Sequence, residues 1–208
     1  MIYRKITNDP YLRSSNSIFP YVNIGKVFSD EQIDAILKNI NISELETAKT
    51  FGDSTPFDTR RSKISFLYPS NENLWIFNQI NNVVDEVNDK FYNFCLNGYQ
   101  SIQYTEYRSE DNGFYEEHTD MSFGSPDMNS HESGVRKLSL VVFLSDSTEY
   151  SGGQFAINLG GKECDKIVVD QRKGGGIIFP SFLLHKVFPV NSGIRKTLVT
   201  WITGPRFV

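Results

Sequence analysis

The run Phe114-Tyr-Glu-Glu-His118-Thr-Asp120 sets an imidazole and a carboxylate two residues apart. On an extended strand residues i and i+2 share a face, so His118 and Asp120 would project together, a few ångströms from each other. Such a pair asks for a third ligand. His185 is the best candidate, because it interrupts the apolar run Ile177-Ile-Phe-Pro-Ser-Phe-Leu-Leu-His185-Lys-Val-Phe, which otherwise reads as buried strand. Two imidazoles and one carboxylate on one face of a first-row metal such as Fe(II) leave the other coordination positions open for reactants. Further on, Arg195 offers a planar guanidinium. It could hold the distal carboxylate of a dicarboxylate co-substrate through two parallel charge-assisted hydrogen bonds, which a lysine cannot do. His131 reads as a solvated loop residue, not a fourth ligand.

These residues need a scaffold, and the hydrophobic pattern describes one. Residues 1–17 are rich in Ser and Asn and read as a flexible lead-in, followed by an edge strand over 19–27. Ser29 is placed as an N-cap, with Asp30 and Glu31 at the positive end of a helix carrying Ile33, Ile36, Leu37 and Ile40. A loop around Arg60 and Arg61 leads to a short strand over 63–68. From Asn73 a longer helical stripe runs through Leu74, Phe77, Ile80, Val84, Val87 and Phe91, and both helices are expected on one sheet face.

Beyond Tyr99 the pattern changes to short strands at 99–107, 114–121, 135–145, 154–158, 166–170, 176–180, 185–190 and 195–203. Gly152-Gly153, Gly160-Gly161 and Gly174-Gly175-Gly176 fall between apolar runs, where turns need positive φ. The expected fold is α+β and mainly β: a double-stranded β-helix, or cupin-like jelly roll, backed by N-terminal helices. It is read as one domain over 1–208, with 1–98 as helical support and 99–208 as the core. The 121–136 connection leaves the His118/Asp120 strand at the metal end and is expected to act as a substrate-side lid.

With 39% hydrophobic and 13% aromatic residues the chain has the makings of a packed core, which excludes a disordered protein. A formal charge of −4 with no basic block disfavours nucleic acid as a partner. No apolar run approaches the roughly 18 residues of a membrane span. Cys95 and Cys164 lack the paired spacing of a zinc site and read as free thiols in a reducing, cytoplasmic setting. Nothing in the sequence specifies an oligomeric state.

The C-terminal half resembles the Fe(II)- and 2-oxoglutarate-dependent dioxygenases, in particular the prolyl 4-hydroxylase-like and PKHD-type hydroxylase group. The residues that carry the likeness are Phe114 to Asp120, Arg136-Lys-Leu-Ser-Leu-Val-Val-Phe-Leu-Ser-Asp, Tyr150-Ser-Gly-Gly-Gln-Phe, Gly176-Ile-Ile-Phe-Pro-Ser, His185-Lys-Val-Phe-Pro-Val and Arg195 to Trp201. The resemblance implies that His118, Asp120 and His185 bind iron and that Arg195 binds the C5 carboxylate of 2-oxoglutarate. It also implies O2 as the oxidant and places Tyr107, Tyr115 and Trp201 in or beside the cofactor pocket. Where relatives have a tyrosine that helps the arginine, this chain has Phe143, so Arg195 needs another helper or acts alone. The implied reaction is hydroxylation of a C–H bond in a peptidyl proline, another protein or peptide side chain, or a small molecule. Two other readings stay open: a cupin-type metal-binding isomerase or ligand-binding protein without oxygenase activity, and a nucleic-acid demethylase, which the acidic balance disfavours.

Overall fold

In the computed structural model the described residues are 20–40, 44–48, 59–121, 134–160 and 167–205. The expected lead-in, His131, Cys164 and residues 122–133 of the expected lid lie outside them. Helix α1 (Asp30–Asn39) starts as its sequence demands: the Gln32 amide donates to the Ser29 hydroxyl and the Ser29 amide to the Gln32 side chain, a closed capping box. Helix α2 (Leu74–Val87) buries Ile76, Ile80, Val84 and Val87. Leu74, expected on that stripe, is 48% exposed, because the buried face is set by the i, i+4 series from Ile76 and Leu74 falls outside it. No helix among the described residues is long and apolar enough to cross a membrane.

The strands are β1 (Val22–Ile24), β2 (Glu46–Thr47), β3 (Arg60–Arg61), β4 (Lys63–Leu67), β5 (Gly98–Tyr99), β6 (Ile102–Arg108) and β7 (Phe114–His118). They continue with β8 (Val135–Phe143), β9 (Tyr150–Gly152), β10 (Phe155–Asn158), β11 (Ile167–Val168), β12 (Gly176–Pro180), β13 (Leu184–Val187) and β14 (Val190–Gly204). A nine-stranded sheet runs β1-β12-β8-β14-β6-β4-β2, with β5 and β9 also paired to β14, and a five-stranded sheet runs β11-β10-β13-β7-β3. All pairings are antiparallel, and the two sheets form the double-stranded β-helix. Arg60 and Arg61, expected in a loop, form β3 by pairing with Tyr115 and Phe114.

The large sheet separates two cores by strand alternation. On its helix-backed face Leu138, Leu140, Val142, Ile178, Leu198 and Ile202 pack with Ile33, Ile36, Ile76 and Ile80 of the helices. On the other face Val141, Phe143, Ile177 and Phe179 meet Phe155, Ile157 and Val187 of the small sheet. The period of two that the sequence shows over 135–143 is therefore used twice, once for each core. Of the Gly174-Gly175-Gly176 run only Gly174 has positive φ (79°); Gly176 is glycine for room, since a Cβ there would lie 2.9 Å from the Val141 carbonyl oxygen.

Candidate metal centre and co-substrate pocket

His118 ends β7 directly opposite His185 of β13. The next register pair is Tyr115 with Val187, so three steps along β7 match two along β13, which is a β-bulge. The extra residue turns Tyr115 onto the same side as His118, and the rings stack with centroids 3.5 Å apart and planes 18° apart.

The strand does not extend to Asp120 as expected. Asp120 lies beyond β7 and is held instead by its own N–H and that of Met121, both donating to the Ser181 carbonyl at 2.9 Å. Its carboxylate still arrives where the pattern predicts. Asp120 Oδ1 is 3.7 Å from His118 Nε2, Oδ2 is 3.4 Å from His185 Nε2, and the three ligand atoms lie within 4.8 Å of one another. The Ser139 hydroxyl donates to Asp120 Oδ2 at 2.7 Å and lies 2.9 Å from the Ser181 hydroxyl, so the carboxylate orientation is fixed from β8.

Both imidazoles are oriented the same way. Nδ1 of His118 lies 2.7 Å from the Glu116 carbonyl oxygen and Nδ1 of His185 lies 2.9 Å from that of Leu183. A carbonyl only accepts, so each Nδ1 carries the proton and each Nε2 presents a lone pair toward Asp120. Burial first, then His185 and Arg60, pull the His118 pKa down to about 3, which keeps the ring neutral. Burial works to raise the Asp120 carboxyl, while the Ser139 hydroxyl and Arg136 favour the carboxylate. Three lone-pair donors thus face one point with no proton between them, an arrangement that a divalent cation satisfies.

A second cluster lies further along the interior face of β14. Arg195 is 1% exposed, with Cζ 5.4 Å from the Tyr107 ring centroid and 5.7 Å from that of Phe143. Its Nε donates to Gln171 Oε1 at 2.9 Å, and Tyr107 and Tyr150 favour its charged form electrostatically. Its Nη2, also buried, has no partner among the described residues. No carboxylate among the described residues pairs with this cation. An unpaired buried guanidinium is expensive, and an anionic ligand relieves it. Gly153 makes the room: a Cβ there would lie 3.0 Å from Arg195 Cδ and 2.9 Å from Val190. Gln171 and Tyr150 are the helpers that Phe143 cannot be. The sequence shows only that a helper is needed.

Of the expected pocket residues, Tyr107 pairs with Arg195 in register and sits at the guanidinium end. Tyr115 sits at the histidine end, where burial pushes its hydroxyl up to about 12. Trp201 lies under Arg136, whose Cζ is 4.0 Å from the indole centroid, and its buried N–H has no partner among the described residues. Arg136 Nη1 in turn donates to the Asp120 carbonyl at 3.2 Å. Ser139 and Arg136 were not distinguishable in the sequence from ordinary strand residues, and Arg60 was expected in a loop.

The fold and this donor set define a class. The family model described as the 2OG-Fe(II) oxygenase superfamily matches residues 102–203, just under half of the chain, and that stretch belongs to the superfamily. The fold is prolyl 4-hydroxylase-like. The chain is 42% identical over 65 residues to a PKHD-type hydroxylase of Colwellia psychrerythraea, covering 31% of this chain and 28% of that protein. It is 46% identical over 69 residues to one of Prochlorococcus marinus, covering 33% and 30%. The matched stretch thus spans less than a third of either relative. A Pseudomonas putida prolyl-4-hydroxylase structure superposes with a TM-score of 0.69 at 17% identity, over 93% of this chain and 97% of that one. A Trichoplax adhaerens prolyl hydroxylase, solved with a hypoxia inducible factor peptide fragment, gives 0.70 at 15%, over 92% and 86%. Membership implies Fe(II), 2-oxoglutarate and O2. The residues fit all of it: a two-histidine, one-carboxylate donor set for the metal, and a buried, partner-less N–H of Arg195 for a carboxylate.

Proposed function

We propose that this chain is an Fe(II)- and 2-oxoglutarate-dependent hydroxylase acting on a side chain of a peptide or protein, with peptidyl proline as the lead substrate. The observation that carries the reading is one interior surface holding both the His118/Asp120/His185 donor set and the unpaired Arg195 guanidinium. A non-redox metal-binding jelly roll would leave Arg195 without a purpose. The proline lead rests on the prolyl hydroxylase structures that share the fold. The reading takes 1–208 as one catalytic unit supported by the N-terminal helices, in a reducing, cytoplasmic setting that suits the free, exposed thiol of Cys95.

In this reading His118, Asp120 and His185 hold Fe(II), and Arg195 Nη2 receives the distal carboxylate of 2-oxoglutarate. When bound, the metal, co-substrate and O2 supply oxidative decarboxylation coupled to hydroxylation of a C–H bond. The protein's own part is orientation. The Glu116 and Leu183 carbonyls keep both Nε2 lone pairs aimed, and Ser139 keeps the carboxylate from rotating. Gln171 holds the guanidinium through its Nε, so little order is lost when an anion binds. Phe143, Phe155 and Phe179, each at most 2% exposed, keep water from the space between the two clusters.

The test is to load the full chain with Fe(II), add 2-oxoglutarate and proline-containing peptides, and follow succinate together with products heavier by one oxygen atom. Succinate formation that requires Fe(II), with an oxygenated peptide, is expected. A loaded protein that makes no succinate under any of these conditions refutes the proposal.

A further inference from the structure

Arg60 and Arg136 are cations of the site that neither the metal nor the co-substrate accounts for. Arg60 enters from β3, is 7% exposed, and lies with Cζ 4.6 Å from the centroid of Tyr115, the ring stacked on His118. Its Nε donates to the Ser62 hydroxyl at 2.8 Å. Arg136 enters from β8, is half-buried on Trp201, and donates from Nε to Gln100 at 2.8 Å and from Nη1 to the Asp120 carbonyl. Neither has a carboxylate within ion-pair distance among the described residues. The nearby acids are engaged elsewhere: Glu116 faces Lys186 at 3.6 Å, and Glu117 accepts from Asn158 at 3.2 Å.

Charge balance says what this pair is for. On the proposed function, the charges of the divalent metal, the Asp120 carboxylate, the 2-oxoglutarate dianion and Arg195 cancel. Among the described residues Arg60 and Arg136 then remain as two positive charges without a carboxylate, Arg60 against the Tyr115 ring that stacks on His118 and Arg136 on the carbonyl of Asp120. Cations in that position attract and orient an anion and repel a cation, in a medium where the interaction is much stronger than in water.

We infer that the substrate carries a carboxylate close to the C–H bond that is hydroxylated, and that Arg60 and Arg136 receive it beside Tyr115. The carboxylate has two sources, an acidic side chain next to the reacting residue in a peptide or the α-carboxylate of a free amino acid. This inference rests on the proposed hydroxylase reading and narrows it to acidic substrates.

The experiment measures binding, not turnover. The full chain is saturated with Mn(II), which does not turn over, and with 2-oxoglutarate, so that loss of either ligand is not mistaken for loss of preference. One arm titrates proline peptides that differ only in having Glu, Gln or Lys beside the proline. The other arm titrates L-proline against L-prolinamide. In one of the two arms the acid-bearing probe should bind at least tenfold more tightly than its neutral partner, and that arm identifies the source. The ratio should fall toward one in Arg60→Gln and in Arg136→Gln. Arg60→Lys, which keeps the charge, should retain part of it and so separates charge from folding. Equal binding of neutral probes, tighter binding of the lysine peptide, a preference that survives both Gln variants, or no binding by any probe overturns the inference. An oxygenated product from the lysine peptide would sink this inference and leave the hydroxylase reading intact; tight acidic binding without any Fe(II)-dependent product would do the reverse.

Discussion

The two faces of β14 are built from the same backbone and solve opposite problems. Toward the helices it presents Leu198 and Ile202, each 1% exposed, and Thr200, whose hydroxyl reaches the Gln100 carbonyl at 3.4 Å. Toward the small sheet it presents Arg195, Thr197 and Trp201, and each of these carries a buried polar atom with no partner among the described residues. Buried polar groups are almost always satisfied, so three exceptions at alternate positions on one strand face mark where ligand atoms are expected. One face is complete within the protein. The other is completed by what it binds, and it holds its charge at a loss of stability until then.

The contrast can be broken most sharply at the metal end. Asp120→Ala should abolish Fe(II)-dependent succinate formation and lower metal affinity by more than the roughly 10–100-fold typical of losing an outer partner, while the melting curve of the metal-free protein stays in place. Titration with Mn(II) followed by calorimetry checks it, and wild-type affinity would remove Asp120 from the site. On the helix face, Leu198→Ala should cost about 2–5 kcal/mol of unfolding free energy, read by urea denaturation, with 2-oxoglutarate affinity per folded molecule unchanged.

Arg195→Met tests the other face directly. Removing a hydrogen bond to a charged group is worth roughly 1.5–3 kcal/mol, so 2-oxoglutarate affinity should weaken on the order of ten- to a hundredfold. The melting temperature of the ligand-free variant should rise, because an unpaired buried cation has been replaced by an apolar chain. A fall would show that Gln171 and Tyr150 already compensate the guanidinium. The smallest effect is expected for Thr197→Val, which trades an unsatisfied hydroxyl for a methyl group. It should stabilise the ligand-free protein by on the order of 1 kcal/mol, measurable in the same denaturation series. Destabilisation would mean that the hydroxyl is satisfied in solution and that the contrast between the faces is weaker than drawn.

Much of this architecture is local and therefore legible in the residue string. The Ser29 cap and the Ile33/Ile36 stripe follow from spacing within one helix, and the alternation along β8 and β14 follows from the pleat of single strands. The order His118, Asp120, His185, Arg195 likewise needs no knowledge of neighbours, because chemistry restricts which residue types can stand there. What alternation could not show is where it fails. The strand was expected to carry both His118 and Asp120, yet it stops at His118, and Asp120 is placed by hydrogen bonds to Ser181.

By itself, then, the sequence determined the mainly-β fold with its helical backing and singled out the candidate metal donors and the candidate anion-binding arginine, all consequences of residue type and short-range period. Only the tertiary structure decided the company these residues keep. The bulge in β7 put Tyr115 on His118, pairing of β3 with β7 brought Arg60 onto Tyr115, and Gln171, separated by 24 positions in the chain, closed on Arg195. The reason is physical: register, bulges and cross-sheet contacts are settled by the pairing of distant segments, and a one-residue shift in that pairing redirects every side chain beyond it.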